Sequence, residues 1–190
     1  MAKEVGVGNI CLHSFMRFYM TNSTIDTLIW QALEMYPIKV LPQFLTDTNS
    51  RVRMAAARAI QLKGGDIEFE LASSMLNSKK HLDREIAAFI LGQLGTPKLP
   101  YRKQSISLLD KALKADRISS VRSAAAVALG HLMATESTDS LIAASNDPVL
   151  EVRAGVASAL SRFPRNKKVK ACLDRLTHDV SAKVRYWARD

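Results

Sequence analysis

Along the chain, apolar residues at helical spacing alternate with brief polar turns, and the same residue order returns at a near-fixed interval. Val121, Ala124, Ala125, Ala128, Leu129 and Leu132 recur three and four residues apart, the spacing that gathers side chains on one helix face. Five segments align on this pattern: 47–60, 78–91, 116–129, 147–160 and 179–190. Each carries an arginine at one slot, Arg53, Arg84, Arg122, Arg153 or Arg185, with separations of 31, 38, 31 and 32. A nearly constant period of this size is the signature of a helical solenoid, in which each unit buries its apolar face against its neighbours.

Every unit reads as a hairpin. First helices are predicted over 38–45, 67–76, 102–115, 138–144 and 169–176, each followed by a polar turn and a second helix of about three turns. The alanines of the second helices allow neighbouring units to approach closely. Gly64-Gly65, Gly95 with Pro97, and Pro164 are the stop signals for three of them. An aspartate (Asp47, Asp116, Asp147, Asp179) precedes the arginine at a fixed spacing, Asp-x5-Arg. In the turn it is placed to accept backbone N–H groups, and the arginine is placed to reach an aspartate of its own or a neighbouring turn. The second unit departs from this, with Ser78 in the aspartate slot and Asp83 in the valine slot.

The pattern Asp-x4-Val-Arg-x2-Ala-Ala-x-Ala-Leu-Gly resembles the HEAT repeats of the phycobilin-lyase type over roughly residues 37–190. This resemblance implies an all-α fold, a right-handed alpha-alpha superhelix. Residues 57–65 (Ala-Arg-Ala-Ile-Gln-Leu-Lys-Gly-Gly) and 83–93 (Asp-Arg-Glu-Ile-Ala-Ala-Phe-Ile-Leu-Gly-Gln) are similar to the YibA-type enterobacterial HEAT-repeat family. Members of that family are encoded beside Rhs polymorphic toxins and are thought to act as immunity proteins. What the likeness implies is a bacterial, cytoplasmic, non-catalytic protein whose partner is a toxin domain. On this reading residues 1–24 are an extension with little structure, Met20 resembling a natural start. Residues 25–190 are a single array of about five hairpins, the last incomplete, and a family member is expected to continue beyond it.

Within the second helices, one set of slots stays apolar (Ile60, Leu91, Leu129, Leu160), whereas another varies at i, i+4 and i+8, one helical face. Its members are Met54, Arg58 and Leu62; Glu85, Phe89 and Gln93; Ser123, Val127 and His131; and Ala154, Ser158 and Arg162. In HEAT arrays the second helices line the concave surface, so this stripe is the candidate partner contact. The competing reading is that some members, Phe89 and Val127 above all, pack between helices. A basic run, Arg162, Arg165, Lys167, Lys168 and Lys170, follows at an inter-unit turn and the start of a helix, where positive charge opposes the dipole. It reads either as a solvated loop or as a contact for an acidic or phosphate-bearing partner.

Composition sharpens this picture only in part. The net charge of +9 admits nucleic acid, acidic protein or anionic membrane as partner, although repeat arginines account for some of it. The two cysteines, Cys11 and Cys172, lie far apart and read as reduced thiols. The four histidines, His13, His81, His131 and His178, show no metal-ligand spacing. No phosphate-binding glycine loop and no Gly-x-Ser-x-Gly elbow occurs, and Glu68 and Glu70, two apart on a helix, face different ways. The expectation is therefore no catalytic residue, no metal and no cofactor, no membrane association, and Trp30 and Trp187 as packing anchors. The second reading is a basic HEAT-like nucleic-acid binder related in form to alkylpurine DNA glycosylases; the third is a bilin lyase or chaperone.

Overall fold

The computed structural model describes residues 24–189. Residues 1–23 and 190 lie outside the described residues, and with them Cys11, His13, Met20 and most of the expected N-terminal extension. Regular structure among the described residues is helical, as the all-α reading requires. The chain divides into two compact units, one ending at Ala59 and one beginning at Ile60.

The first unit holds α1 (Thr24–Glu34), a 3-10 helix (Leu41–Thr46) and the beginning of α2 (Ser50–Lys63). The helix expected over 38–45 is thus a shorter, tighter turn that begins three residues later. Pro42 at its start has no N–H to give, and Pro37 restricts the residue before it to extended backbone. Leu33, Leu41, Leu45 and Ala55 to Ala57 are buried here. So is Asp26, whose carboxylate accepts a hydrogen bond from Arg51 Nε.

The second unit continues α2 and adds α3 (Asp66–Met75), α4 (His81–Leu91), α5 (Arg102–Ala115), α6 (Ser119–His131), α7 (Thr138–Ala144), α8 (Leu150–Leu160), α9 (Lys167–Leu176) and α10 (Ala182–Arg189). These form four hairpins, with α4, α6, α8 and α10 side by side in one layer and α3, α5, α7 and α9 in the other. The helices at 102–115 and 138–144 have the expected bounds. Gly64, at φ 64°, ends α2 as its position predicts, because the left-handed region costs glycine little. In contrast, α4 stops at Leu91 and α8 at Leu160, each four residues ahead of Gly95 and Pro164.

Close layer packing depends on small residues. A Cβ added to Gly130 would stand 2.7 Å from Ala159 Cα, and one on Gly92 2.7 Å from Ala128 Cβ. Larger side chains there would hold α6 away from α8 and α4 away from α6. The longer arginine spacing, 38, is absorbed by the loop between α4 and α5, where Gly95 and Leu99 take positive φ and Phe69 stacks on Tyr101 at 4.5 Å.

Candidate partner-binding surface

The turns before α6, α8 and α10 are built in one way. Asp116, Asp147 and Asp179 each accept, through Oδ1, the backbone N–H two residues on, at 2.8–2.9 Å. This closes the turn with a side chain in place of a backbone carbonyl. The arginine six residues later donates Nη1 back to the aspartate's own carbonyl: Arg122 to Asp116 at 2.9 Å, Arg153 to Asp147 at 2.9 Å and Arg185 to Asp179 at 2.7 Å. Its other edge, Nε and Nη2, grips the carboxylate of the following unit. Arg84 holds Asp116 (2.7 and 2.9 Å), Arg122 holds Asp147 (2.8 and 3.0 Å) and Arg153 holds Asp179 (2.7 and 3.0 Å).

Arg84, Arg122 and Arg153 each therefore bind both their own turn, through the backbone, and the next turn, through the carboxylate. The hydrogen bond from Arg84 holds the Asp116 carboxyl below its usual range, and Arg153 does the same for Asp179. Burial pushes Asp147 the other way, but the bonds from Arg122 and the Val149 N–H outweigh it. In the irregular turn Ser78 Oγ accepts the Lys80 N–H at 3.2 Å and donates to Asp83 at 2.7 Å. The two exchanged residues thus restore the turn between themselves. In the first unit Arg53 Nη1 likewise bonds the carbonyls of Asp47 and Thr48.

The variable stripe lies beside this frame. In the first unit Met54 and Arg58 on α2 are half-buried, and the Arg58 guanidinium sits 4.0 Å from the centre of the Trp30 ring. Burial lowers the Arg58 pKa against the opposing pull of Glu34. Trp30 is an anchor, as expected, and Arg58 is part of what it anchors.

In the second unit Glu85 and Phe89 (α4), Ser123, Val127 and His131 (α6) and Ser158 (α8) are all half-buried, while Ala154 is buried and offers no surface. Gln93 and Arg162 lie in the turns past α4 and α8. Some stripe residues serve packing. Ser123 Oγ donates to the Glu151 carbonyl at 2.9 Å, and Val127 lies against Gly155. Both ring nitrogens of His131 are shielded from solvent, and burial, with the nearby charge of Arg162, pushes its pKa down to about 3. His131 is a neutral imidazole at physiological pH.

The basic run behaves differently. Arg165, Lys167, Lys168 and Lys170 are exposed around the start of α9, where Asn166 Oδ1 caps the Val169 N–H at 3.0 Å. Lys168 pairs with Asp139 at 2.9 Å, so the run is partly neutralised from α7.

Two ties carried no repeat signature, because single units hold them. Arg102 at the start of α5 donates to the carbonyls of Leu132 (2.9 Å) and Met133 (2.8 Å) and pairs with Glu136 at 3.0 Å. Arg175 on α9 reaches Asn146 Oδ1 at 2.8 Å. Among the described residues no group of three or more His, Cys, Asp or Glu is placed to hold a metal ion, and no helix is long and apolar enough to cross a membrane. Cys172 is a buried free thiol.

Residues 106–190 match the family model described as HEAT repeats. This part of the chain is similar to HEAT repeats. Its relatives carry the same architecture. Over 52 residues the chain is 42% identical to Protein YibA of Escherichia coli strain K12, a stretch covering 27% of this chain and 19% of YibA. The crystal structure of Escherichia coli YibA superposes with a TM-score of 0.79 at 24% identity, covering 88% of this chain and 62% of that one. The chain thus spans less than two thirds of its YibA relatives. The complex of CpcE and CpcF of phycocyanin lyase from Nostoc sp. PCC7120 matches at TM-score 0.66 and 18% identity, over 80% of this chain and 95% of that one. A designed armadillo repeat protein in complex with the peptide (KR)4 matches at 0.58 and 15%, over 86% and 84%.

Proposed function

We propose that this chain is a non-catalytic scaffold that binds a protein partner, and that the partner is a toxin domain of the Rhs type, which the chain neutralises as a cytoplasmic immunity protein. The observation that carries this reading is the likeness to YibA, in sequence over 52 residues and in fold over 88% of the chain. The half-buried stripe supports it. Glu85, Phe89 and Ser158 on the helices, with Gln93 and Arg162 in the turns past them, offer mixed polar and apolar surface beside the arginine–aspartate frame. A rigid platform of this kind loses little conformational entropy on binding. With a net charge of +9 on the chain, the complementary toxin surface is acidic or neutral.

The test is capture of partners by the tagged chain from lysate of its own source, with and without nuclease, read by mass spectrometry. One stoichiometric protein that survives nuclease and carries a toxin domain supports the reading. Changes at Arg58 or Phe89 then weaken its capture. Material that is nucleic acid and vanishes with nuclease overturns it.

A further inference from the structure

The arginine–aspartate pairs do more than join helices: they bring the turns of the second unit to a common edge. Because Arg84 binds Asp116, Arg122 binds Asp147 and Arg153 binds Asp179, the turns at 78–83, 116–121, 147–152 and 179–184 stand in sequence along that edge. Each turn exposes one large aliphatic side chain: Leu82 (48% exposed), Ile118 (39%), Leu150 (38%) and Val180 (91%). Buried positions elsewhere in these turns, Val121, Val152 and Val184, already supply the core. The exposed four are therefore not needed to close the hydrophobic interior.

Charge along the edge is one-sided. Lys79, Lys80, Arg117 and Lys183 are exposed, against exposed Glu151 and half-buried Asp83. The carboxylates of Asp116, Asp147 and Asp179 are already taken by the arginines and by backbone N–H groups. The edge therefore shows one exposed aliphatic side chain at each turn, at a different slot of each, with net positive charge beside them.

We propose that this edge binds an extended, acidic segment of a partner protein that carries aliphatic residues. One turn stands before each second helix, and neighbouring helices lie about 9 Å apart, so four turns span about 27 Å. An extended chain rises about 3.3 Å per residue, so about eight to ten residues cover that length. Aliphatic side chains of the segment meet Leu82, Ile118, Leu150 and Val180, while its carboxylates meet Lys79, Lys80 and Arg117. Nucleic acid would use the lysines but leave the aliphatic side chains in water. This edge is distinct from the half-buried stripe, and its function does not depend on the toxin reading.

The probe is a fluorescein-labelled peptide of about ten residues alternating Leu and Glu, titrated into the full chain and read by anisotropy. It is expected to bind at least about tenfold more tightly than the same peptide with Ser for Leu or Lys for Glu. The double variants I118S/L150S and K79E/R117E, all at exposed positions, are each expected to weaken binding about tenfold or more with an unchanged circular dichroism spectrum. The double variant K167E/K168E at α9 is expected to leave it unchanged. No preference among the three peptides, retention of binding in both edge variants, or loss in the α9 variant equal to theirs overturns the proposal.

Discussion

Arg122 binds the carboxylate of Asp147 with both Nε and Nη2, at 2.8 and 3.0 Å, while its Nη1 holds the carbonyl of Asp116 in its own turn at 2.9 Å. One guanidinium thus ties two repeats together and fixes the turn from which it springs. Both side chains are largely shielded, 16% and 9% exposed, so solvent screens the pair only partly. Removing either partner is expected to destabilise by about 2–3 kcal/mol, the range of charge-assisted hydrogen bonds. A double-mutant cycle on R122A and D147A by urea denaturation should give a coupling of at least about 1 kcal/mol. R122K should recover little of it, because an ammonium cannot make the paired contact. Additive effects would show that the repeats are held by apolar packing alone.

The carboxylates of this frame set an acid limit. Asp116, Asp147 and Asp179 have pKa values below their ordinary range in the folded chain. A depressed carboxyl pKa contributes stability that is complete above the unfolded value, about 3.9, and is lost as pH falls through the folded value. Thermal melts should therefore show a steep loss of stability below about pH 4, and it should be shallower in D147N, which begins less stable.

His131 adds a second, higher window. Its folded pKa of about 3 lies below the unfolded value of about 6.5, because the charged ring is disfavoured inside. Between these values the unfolded chain takes up a proton that the folded chain does not. Stability from this residue is complete above about pH 6.5 and declines on acidification, by at most about 1.4 kcal/mol per pH unit. H131L should flatten the melting temperature between about pH 6.5 and pH 4 while leaving the carboxylate loss in place. An unchanged slope would contradict the buried, neutral imidazole.

Close helix contact gives a prediction opposite in sign to helix propensity. Alanine is favoured over glycine in a helix interior by about 0.8–1 kcal/mol. At Gly130 the added Cβ would meet Ala159 Cα at 2.7 Å, backbone that cannot yield without moving α8. G130A is expected to destabilise by about 1–3 kcal/mol in denaturant titration. Stabilisation would mean that α6 and α8 have room to spare.

These contacts explain which parts of the molecule were legible beforehand. The slots that recur, such as Leu129 and Arg122, face similar surroundings from unit to unit, so their physics is written once per repeat. The arginine's choice between its own turn and the next was left open by spacing alone. Structure resolves it as both, backbone in one and carboxylate in the other. Arg102 and Arg175 escaped notice because a tie made once leaves no period to detect. The tight turn at 41–46 differs from the expected helix because Pro42 decides locally what the repeat pattern suggests globally. Variable positions are harder still. Ser123 and Val127 vary like contact residues yet serve helix packing, since a half-buried slot tolerates change for either reason.

The most direct test of the account is calorimetric titration of the captured partner protein into the chain and into two stripe variants, F89A and E85K, on α4. The account predicts that affinity falls about tenfold or more in at least one of them, as at a binding hot spot, while the circular dichroism spectrum stays unchanged. Affinity equal to the unaltered chain in both variants would contradict it.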